Sequence, residues 1–182
     1  MTFDHQIFKG YDIRGIYPQQ INKDIAFKIG QAAAVYFKVK KVAVGRDMRL
    51  SSPELFQALV AGILSQGADV IDIGLISTDM LWFASGKYNF PLSIMVTASH
   101  NPADWNGFKM AQSGATAVSG STGFFAIRNL LFTTQEFKQS LIPGTIIKQN
   151  ILDVWVNHAL SLVDKSMVTK IKVVVDAGNG MG

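Results

Sequence analysis

The chain has 182 residues, 48% hydrophobic and 16% charged, a balance that suits a packed core with room for part of a second unit and excludes general disorder. Seventeen Lys and Arg against thirteen Asp and Glu leave a formal charge of +4, which fits an anionic small molecule and is too weak and scattered for a nucleic-acid partner. The absence of cysteine excludes disulfides, thiolate metal sites and cysteine nucleophiles. With no signal-peptide pattern at Met1–Gln6 and no apolar run of spanning length, the expected setting is cytoplasmic, away from membranes.

The stretch Ile7–Gly15 reads as a short strand-like piece broken by Gly10 and Gly15. Arg14, flanked by Ile13 and Gly15, is either an ordinary surface arginine or a guanidinium placed to hold phosphate bidentately. Asn22 predicts a helix cap, with Ile21, Ile25, Ile29, Ala32 and Tyr36 on one apolar face of a helix to about Phe37. Lys41–Gly45 predicts a strand leading into Arg46-Asp47-Met48-Arg49. Ser51 with Glu54 has capping-box spacing and Pro53 suits a first helical turn, so a helix begins near Pro53, shows Leu55, Leu59 and Ile63 on one side, and stops at Gly67. Arg46 and Arg49 lie between strand end and helix start, where a salt bridge to Asp47 or Glu54 is an equally good reading.

Val70–Ile73 predicts the next strand, Thr78 a helix cap before a helix to about Tyr88, and Leu92–Ala98 a third strand. Strand, helix, strand, helix, strand implies right-handed crossovers and a parallel three-strand core covered by helices. The polar loop Thr97-Ala98-Ser99-His100-Asn101-Pro102-Ala103-Asp104-Trp105-Asn106 follows, and then Phe108 and Met110 alternate with Lys109 in a strand Gly107–Ala111. A parallel crossover needs about a dozen residues or more, so this strand should return antiparallel and bring Lys109 back towards Ser99. Such a rim is where open α/β sheets place ligands. The alternative is a polar hairpin whose Ser99, Asn101 and Asp104 merely satisfy turn backbone.

Beyond the loop, Gly114–Gly123 is a small-residue loop and Phe124–Phe132 a closing helix. Thr133–Thr145, with Pro143-Gly144, is the candidate linker. Ile151, Val154, Trp155, Leu162 and Val163 mark a further helix, and Ile171–Val175 a β-branched strand running into Asp176-Ala177-Gly178-Asn179-Gly180-Met181-Gly182. That ending has the spacing of a tight turn, not of a dinucleotide fingerprint. The expected fold class is α/β: a three-layer α/β/α domain with a mixed, mainly parallel sheet over residues 1–140, then a linker and the first helix and strand of a second α/β domain over 141–182. One helix and one strand bury no core of their own, so this second unit is expected to be cut off.

Thr97-Ala98-Ser99-His100-Asn101-Pro102 followed by Asn106-Gly107-Phe108-Lys109 resembles, over a long ungapped match, the phosphoserine loop of the α-D-phosphohexomutases, in particular the phosphomannomutase/phosphoglucomutase branch. Ile7–Gly15 resembles the family's N-terminal segment, where the equivalents of Tyr11 and Arg14 face the active site, and the Gly45-Arg46-Asp47-Met48-Arg49 turn resembles one near the cleft. The resemblance implies a hexose phosphate substrate and an intramolecular phosphotransfer: phosphorylated Ser99 donates to a sugar hydroxyl, the bisphosphate turns over, and the other phosphate returns, so phosphate moves between carbon one and carbon six. It assigns Lys109 and His100 to proton movement and charge balance with Arg14 beside them, and Tyr11, Arg14 and Lys109 to the substrate. Asn101, Asn106, Arg46 and Asp47 would support the loop. It also implies Mg2+, with the Ser99 phosphate as one ligand and the rest from later domains, and hence at most residual activity for this chain alone. Phe108 slightly favours the phosphomannomutase/phosphoglucomutase pattern over the phosphoglucosamine mutases; mannose versus glucose and the oligomeric state stay open.

Phosphoryl transfer needs positioning and positive charge more than a strong base, which suits Lys109, Arg14 and His100 around a phosphate. A serine hydrolase fits less well, because Ala98-Ser99-His100 lacks the G-x-S-x-G elbow and neighbours on an extended chain point apart. His5, His100 and His158 are isolated, so no metal cluster is visible. A noncatalytic sugar-phosphate binding or regulatory domain that kept the loop is the alternative from a different class.

Overall fold

Branched runs alternate with apolar stripes of helical period along the chain, and the computed structural model, which describes residues 4–178 together with Gly180 and Met181, turns them into strands and helices in that order. They are β1 (Ile13–Ile16), α1 (Lys23–Phe37), β2 (Lys41–Arg46), α2 (Ser52–Ser65), β3 (Asp69–Leu75), α3 (Thr78–Tyr88), β4 (Ser93–Val96), β5 (Trp105–Gln112), β6 (Thr116–Ala117), α4 (Phe125–Thr133), β7 (Ile146–Lys148) and α5 (Leu152–Ser161). The sheet has the order β1-β5-β4-β2-β3-β7, with β6 beside β5. Strands β4, β2, β3 and β7 are parallel, whereas β5 runs antiparallel to β4, β1 and β6. The returning strand is therefore present as expected, in register Met95↔Lys109 and Val96↔Phe108.

Alternation along the strands divides the core into two layers. Val42, Val44, Val70, Ile94, Val96, Phe108 and Met110 pack with α1, α2 and α4 on one face. On the other, Ala43, Ile71, Ile73 and Met95 pack with Leu81 and Ala84 of α3 and with Ile151. This is a three-layer α/β/α fold with a mixed sheet. No helix among the described residues is long and apolar enough to cross a membrane.

Local signals were answered unevenly. The Asn22 side chain caps α1, accepting from the Asp24 and Ile25 amides. The capping box at Ser51 and Glu54 does not form: Ser51 makes no side-chain cap bond, its Oγ accepts instead from Asn106, and Glu54 accepts from the Tyr17 hydroxyl, a bond that raises the Tyr17 pKa. Ser77, not Thr78, caps α3. The small-residue loop contains β6 and a π-helical turn, Gly120–Phe124, that feeds α4.

Residues 171–177 form no strand, and Ile171, Val173, Val174 and Val175 are exposed. A strand requires neighbours for its amides and carbonyls, and none pairs with this segment among the described residues. Part of the expected turn after it, Asn179 and Gly182, lies outside the described residues. Past Pro143-Gly144 the chain adds β7 to the same sheet, and Ile151 enters the α3-side core. The Thr145 amide and hydroxyl both donate to Asp69 Oδ1, at 2.8 and 2.9 Å, latching β7 against β3 and holding that carboxyl below the usual range.

Helices α1 and α2 cross so closely that a Cβ on Gly62 would lie 2.0 Å from Phe27 O, and one on Gly30 2.2 Å from Leu59 O. Both obstacles are backbone, so Gly62→Ala must push the helices apart, and we expect a loss of about 1–3 kcal/mol in thermal or denaturant unfolding. Gly86→Ala in α3 meets Ala115 Cβ at an ordinary 3.6 Å and should instead gain up to about 1 kcal/mol from helix propensity. Two changes of the same sign would refute this account of the crossing. For the latch, a lowered folded pKa means stability present above the ordinary aspartate value and lost as pH falls through the folded one. Acidification should therefore release amide-exchange protection at Ile146–Lys148 before β2, and Asp69→Asn should remove that difference.

Candidate active site

The site is built where β2 and β4 end. The chain leaves β2 at Asp47, a residue only 7% exposed, whose amide donates to Val96 O at 3.0 Å. Burying a carboxylate is tolerable only if its oxygens are filled. Oδ1 accepts from Ser52 Oγ at 2.5 Å and the Arg49 amide at 3.1 Å; Oδ2 accepts from Thr97 Oγ1 at 2.6 Å and lies 3.4 Å from Arg49 Nε. Thr97 Oγ1 in turn accepts from the Ser99 amide at 2.9 Å. The N-terminal end of α2, the turn after β2 and the serine loop thus share one anion.

Arg49 clamps the loop itself. Its Nη1 donates to Pro102 O at 2.6 Å and Trp105 O at 2.9 Å, and its Nη2 to Ser99 O at 2.9 Å and Asn101 O at 2.5 Å. The Asn101 amide closes a turn on Ala98 O at 3.1 Å. Within that turn Ser99 has φ +55°, a left-handed conformation that costs a non-glycine residue about 1–2 kcal/mol and persists because these bonds hold it. The Ser99 and His100 side chains are exposed, and Ser99 Oγ lies 3.4 Å from His100 Nδ1. This corrects the expectation that the two side chains point apart, which assumed extended backbone at Ser99.

Asn106 is fully buried, donating to Ser51 Oγ at 2.8 Å and Ser52 Oγ at 3.0 Å, so it ties the start of β5 to the start of α2. Gly107 follows because β1 crosses there: a Cβ would sit 2.0 Å from Ile13 O. Lys109 then emerges on the sheet face opposite Phe108 and Met110. Its Nζ lies 3.3 Å from Asp12 Oδ2, which also receives Arg14 Nη2, while Arg14 Nη1 donates to Asn101 Oδ1 at 2.9 Å. Ser99, His100, Asn101 and Lys109 share a cleft of about 920 Å3; Tyr11, 79% exposed, and Arg14 border an adjoining hollow of about 440 Å3 that Lys109 also lines.

The structure therefore gathers Ser99, His100, Lys109, Arg14, Tyr11, Asn101 and Asp47 at one rim, with Asn106 beneath them. Arg46 is elsewhere, its guanidinium 5.0 Å over the Phe56 ring, and Arg49 makes the loop contacts in its place. The difference follows from alternation: Arg46 is still within β2 and follows the sheet, whereas Arg49 lies in the turn that faces the loop. Sequence reasoning missed Asp12, Thr97 and the paired Ser51 and Ser52. Asp12 had a readable signal, since a residue two before Arg14 on an extended chain shares its side.

The family model for phosphoglucomutase/phosphomannomutase, alpha/beta/alpha domain I, matches residues 5–138. Phosphohexose mutases of Xanthomonas campestris (strain B100) are 41% identical over 175 residues, covering 95% of this chain and 38% of their own length. A phosphomannomutase of Salmonella typhimurium is 38% identical over the same shares. The crystal structure of a phosphoglucomutase/phosphomannomutase family protein from Burkholderia thailandensis superposes with a TM-score of 0.78 at 31% identity, over 88% of this chain and 36% of that one. The chain thus spans about two fifths of the length of these relatives. With a domain I match over most of its length and the serine loop on the rim of that domain, the chain belongs to the phosphoglucomutase/phosphomannomutase family.

Proposed function

We propose that this chain carries the phosphate of a phosphohexomutase, with Ser99 as the carrier, in a protein of its relatives' length that interconverts hexose 1-phosphate and hexose 6-phosphate. The observation that carries this reading is an exposed serine hydroxyl fixed at a strained turn, beside a cleft wall that presents Lys109 and Arg14. A carrier must be reachable by a sugar hydroxyl, fixed in direction and surrounded by positive charge, and these requirements coincide here.

In the transfer, the bond from phosphorus to Ser99 Oγ breaks as a bond to the sugar hydroxyl oxygen forms, and the hydroxyl proton passes to a nearby base. The other phosphate then returns to Ser99 by the reverse step. His100, 3.4 Å from Ser99 Oγ, is placed to hold or return a proton at that oxygen. Lys109 and Arg14 balance a phosphoserine that carries about two negative charges near neutral pH. Tyr11 lines the hollow beside Arg14 and Lys109, where it would meet the substrate, and Arg49 keeps the turn in shape, its charge already engaged by loop carbonyls and Asp47. Magnesium belongs to this reading only through the Ser99 phosphate as one ligand. Among the described residues no three His, Cys, Asp or Glu side chains gather to hold a metal, and no step here depends on one. A cytoplasmic setting and a second unit beginning within residues 141–182 are proposed on the same family footing.

Intact-mass and peptide mapping should find phosphate on Ser99, and Ser99→Ala should lower turnover by orders of magnitude; unaltered turnover would sink the assignment, and sugar-phosphate binding without any phosphate on Ser99 would favour the noncatalytic binding domain. Lys109→Met is expected to reduce kcat by about 10²–10⁴-fold with the melting temperature nearly unchanged. Arg49 and Arg46 should separate: Arg49→Lys cannot span the loop carbonyls and should lower turnover while raising amide exchange at Ser99–Asn101. Arg46→Ala should cost about 0.5–1 kcal/mol of stability and leave turnover in place. The reverse pattern would show that the loop is held otherwise.

A further inference from the structure

Asp12 is 6% exposed and takes no part in the transfer just described. One of its oxygens, Oδ2, accepts from both Arg14 Nη2 and Lys109 Nζ. It therefore sits where a guanidinium and an ammonium converge, which is the position a phosphoryl oxygen would take between the same two cations. Arg14 Nε is buried and has no hydrogen-bond partner among the described residues. A guanidinium offers Nε and Nη2 as one edge for an oxyanion. Half of that edge is on Asp12 and the other half is unused, beside a hollow that Tyr11 and Lys109 also line.

We propose that Asp12 is an internal stand-in for phosphate: a positioning residue that keeps Arg14 and Lys109 converged while the site is free of anion and yields them to a phosphoryl group on arrival. This rests on the reading that Arg14 and Lys109 receive phosphoryl oxygens. The shared oxygen Oδ2 holds both donors at one point, a hydrogen-bonding task that an amide oxygen in its place would also perform. The carboxylate that stays behind also repels the arriving phosphate, and in a partly buried setting one unit charge a few ångströms away is enough to change affinity by about tenfold or more. Weak holding suits a group in transit, because tight binding of the resting anion would raise the barrier to its departure.

The test titrates inorganic phosphate at low salt into the Ser99→Ala chain, where no phosphoserine can fill the site, and follows the Lys109 ammonium, the Arg14 Nε–H and the Asp12 carboxyl carbon by NMR. All three signals should move together, Lys109→Met should weaken binding, and Asp12→Asn, which keeps an acceptor oxygen but no charge, should tighten it about tenfold, with the gap closing as salt is added. A folded Asp12→Asn chain that binds phosphate equally or more weakly overturns the stand-in role and leaves the cation reading intact. If neither Lys109 nor Arg14 responds to phosphate, the underlying reading falls and the proposal with it. Should Asp12→Asn fail to fold, the Ser99→Ala chain decides alone: an Asp12 carbon that stays still while Lys109 moves overturns the proposal. Where turnover is assayed, Asp12→Asn should lower both KM for sugar phosphate and kcat, whereas a raised KM would count against it.

Discussion

The buried carboxylate of Asp47 is the constraint on which the rest of this site depends. Taken out of water it requires donors, and it receives them from Ser52 at the start of α2, from Thr97 at the end of β4 and from Arg49 in between. Ser52 opens α2 and Thr97 directly follows β4, elements that pack in the hydrophobic layers, so the two-layer core and the polar cluster determine one another. Remove the sheet register and the donors scatter; remove the carboxylate and two hydroxyls and a guanidinium lose a partner in a dry place. Thr97 passes the constraint onward, since the hydroxyl that donates to Asp47 accepts from the Ser99 amide.

The strain at Ser99 follows from this. A left-handed serine is unfavourable by itself, and the turn survives because the Thr97 hydroxyl, the Ala98 carbonyl and the Arg49 guanidinium leave its backbone few alternatives. The consequence is directional: the backbone polar groups face inward to the clamp while the hydroxyl stays in the cleft. An extended serine on the same strand end would share its orientation with ordinary sheet residues. The conformation and the exposure of Ser99 are thus two effects of one set of bonds.

How much of this was legible in the sequence depended on the range of the interaction. The strand and helix order, the Asn22 cap and the antiparallel return of Lys109 are local or near-local patterns, and the core faces followed from period. What failed was set by distant partners. Ser51 and Glu54 have capping-box spacing, yet Asn106 and Tyr17, far along the chain, take their side chains. Arg46 and Arg49 are indistinguishable by composition, and only the position at which β2 ends sends one over Phe56 and the other into the loop. The apolar run at Ile171–Val175 has strand composition, but composition supplies no neighbour. The family resemblance pointed to Asp47 and Asn106 beside the serine loop, and only the fold shows their partners, Ser52 and Thr97 for the first and Ser51 and Ser52 for the second.

The two arginines that do reach the rim illustrate how one side chain type serves two tasks through its partners alone. Arg49 donates to four carbonyls that are parts of the backbone and cannot leave, and so its charge is committed to shape. Arg14 shares an aspartate oxygen with Lys109, donates to an asparagine, and among the described residues keeps Nε without a partner; these contacts are side chain to side chain, of a kind another anion could replace. Fixed positive charge beneath the loop and exchangeable positive charge beside it suits the proposed transfer, in which the first would set where the hydroxyl points and the second would let a dianion come and go. Placing the exchangeable pair on β1 and β5 puts it on the antiparallel flank of the sheet, next to the serine loop and apart from the Asp47 cluster.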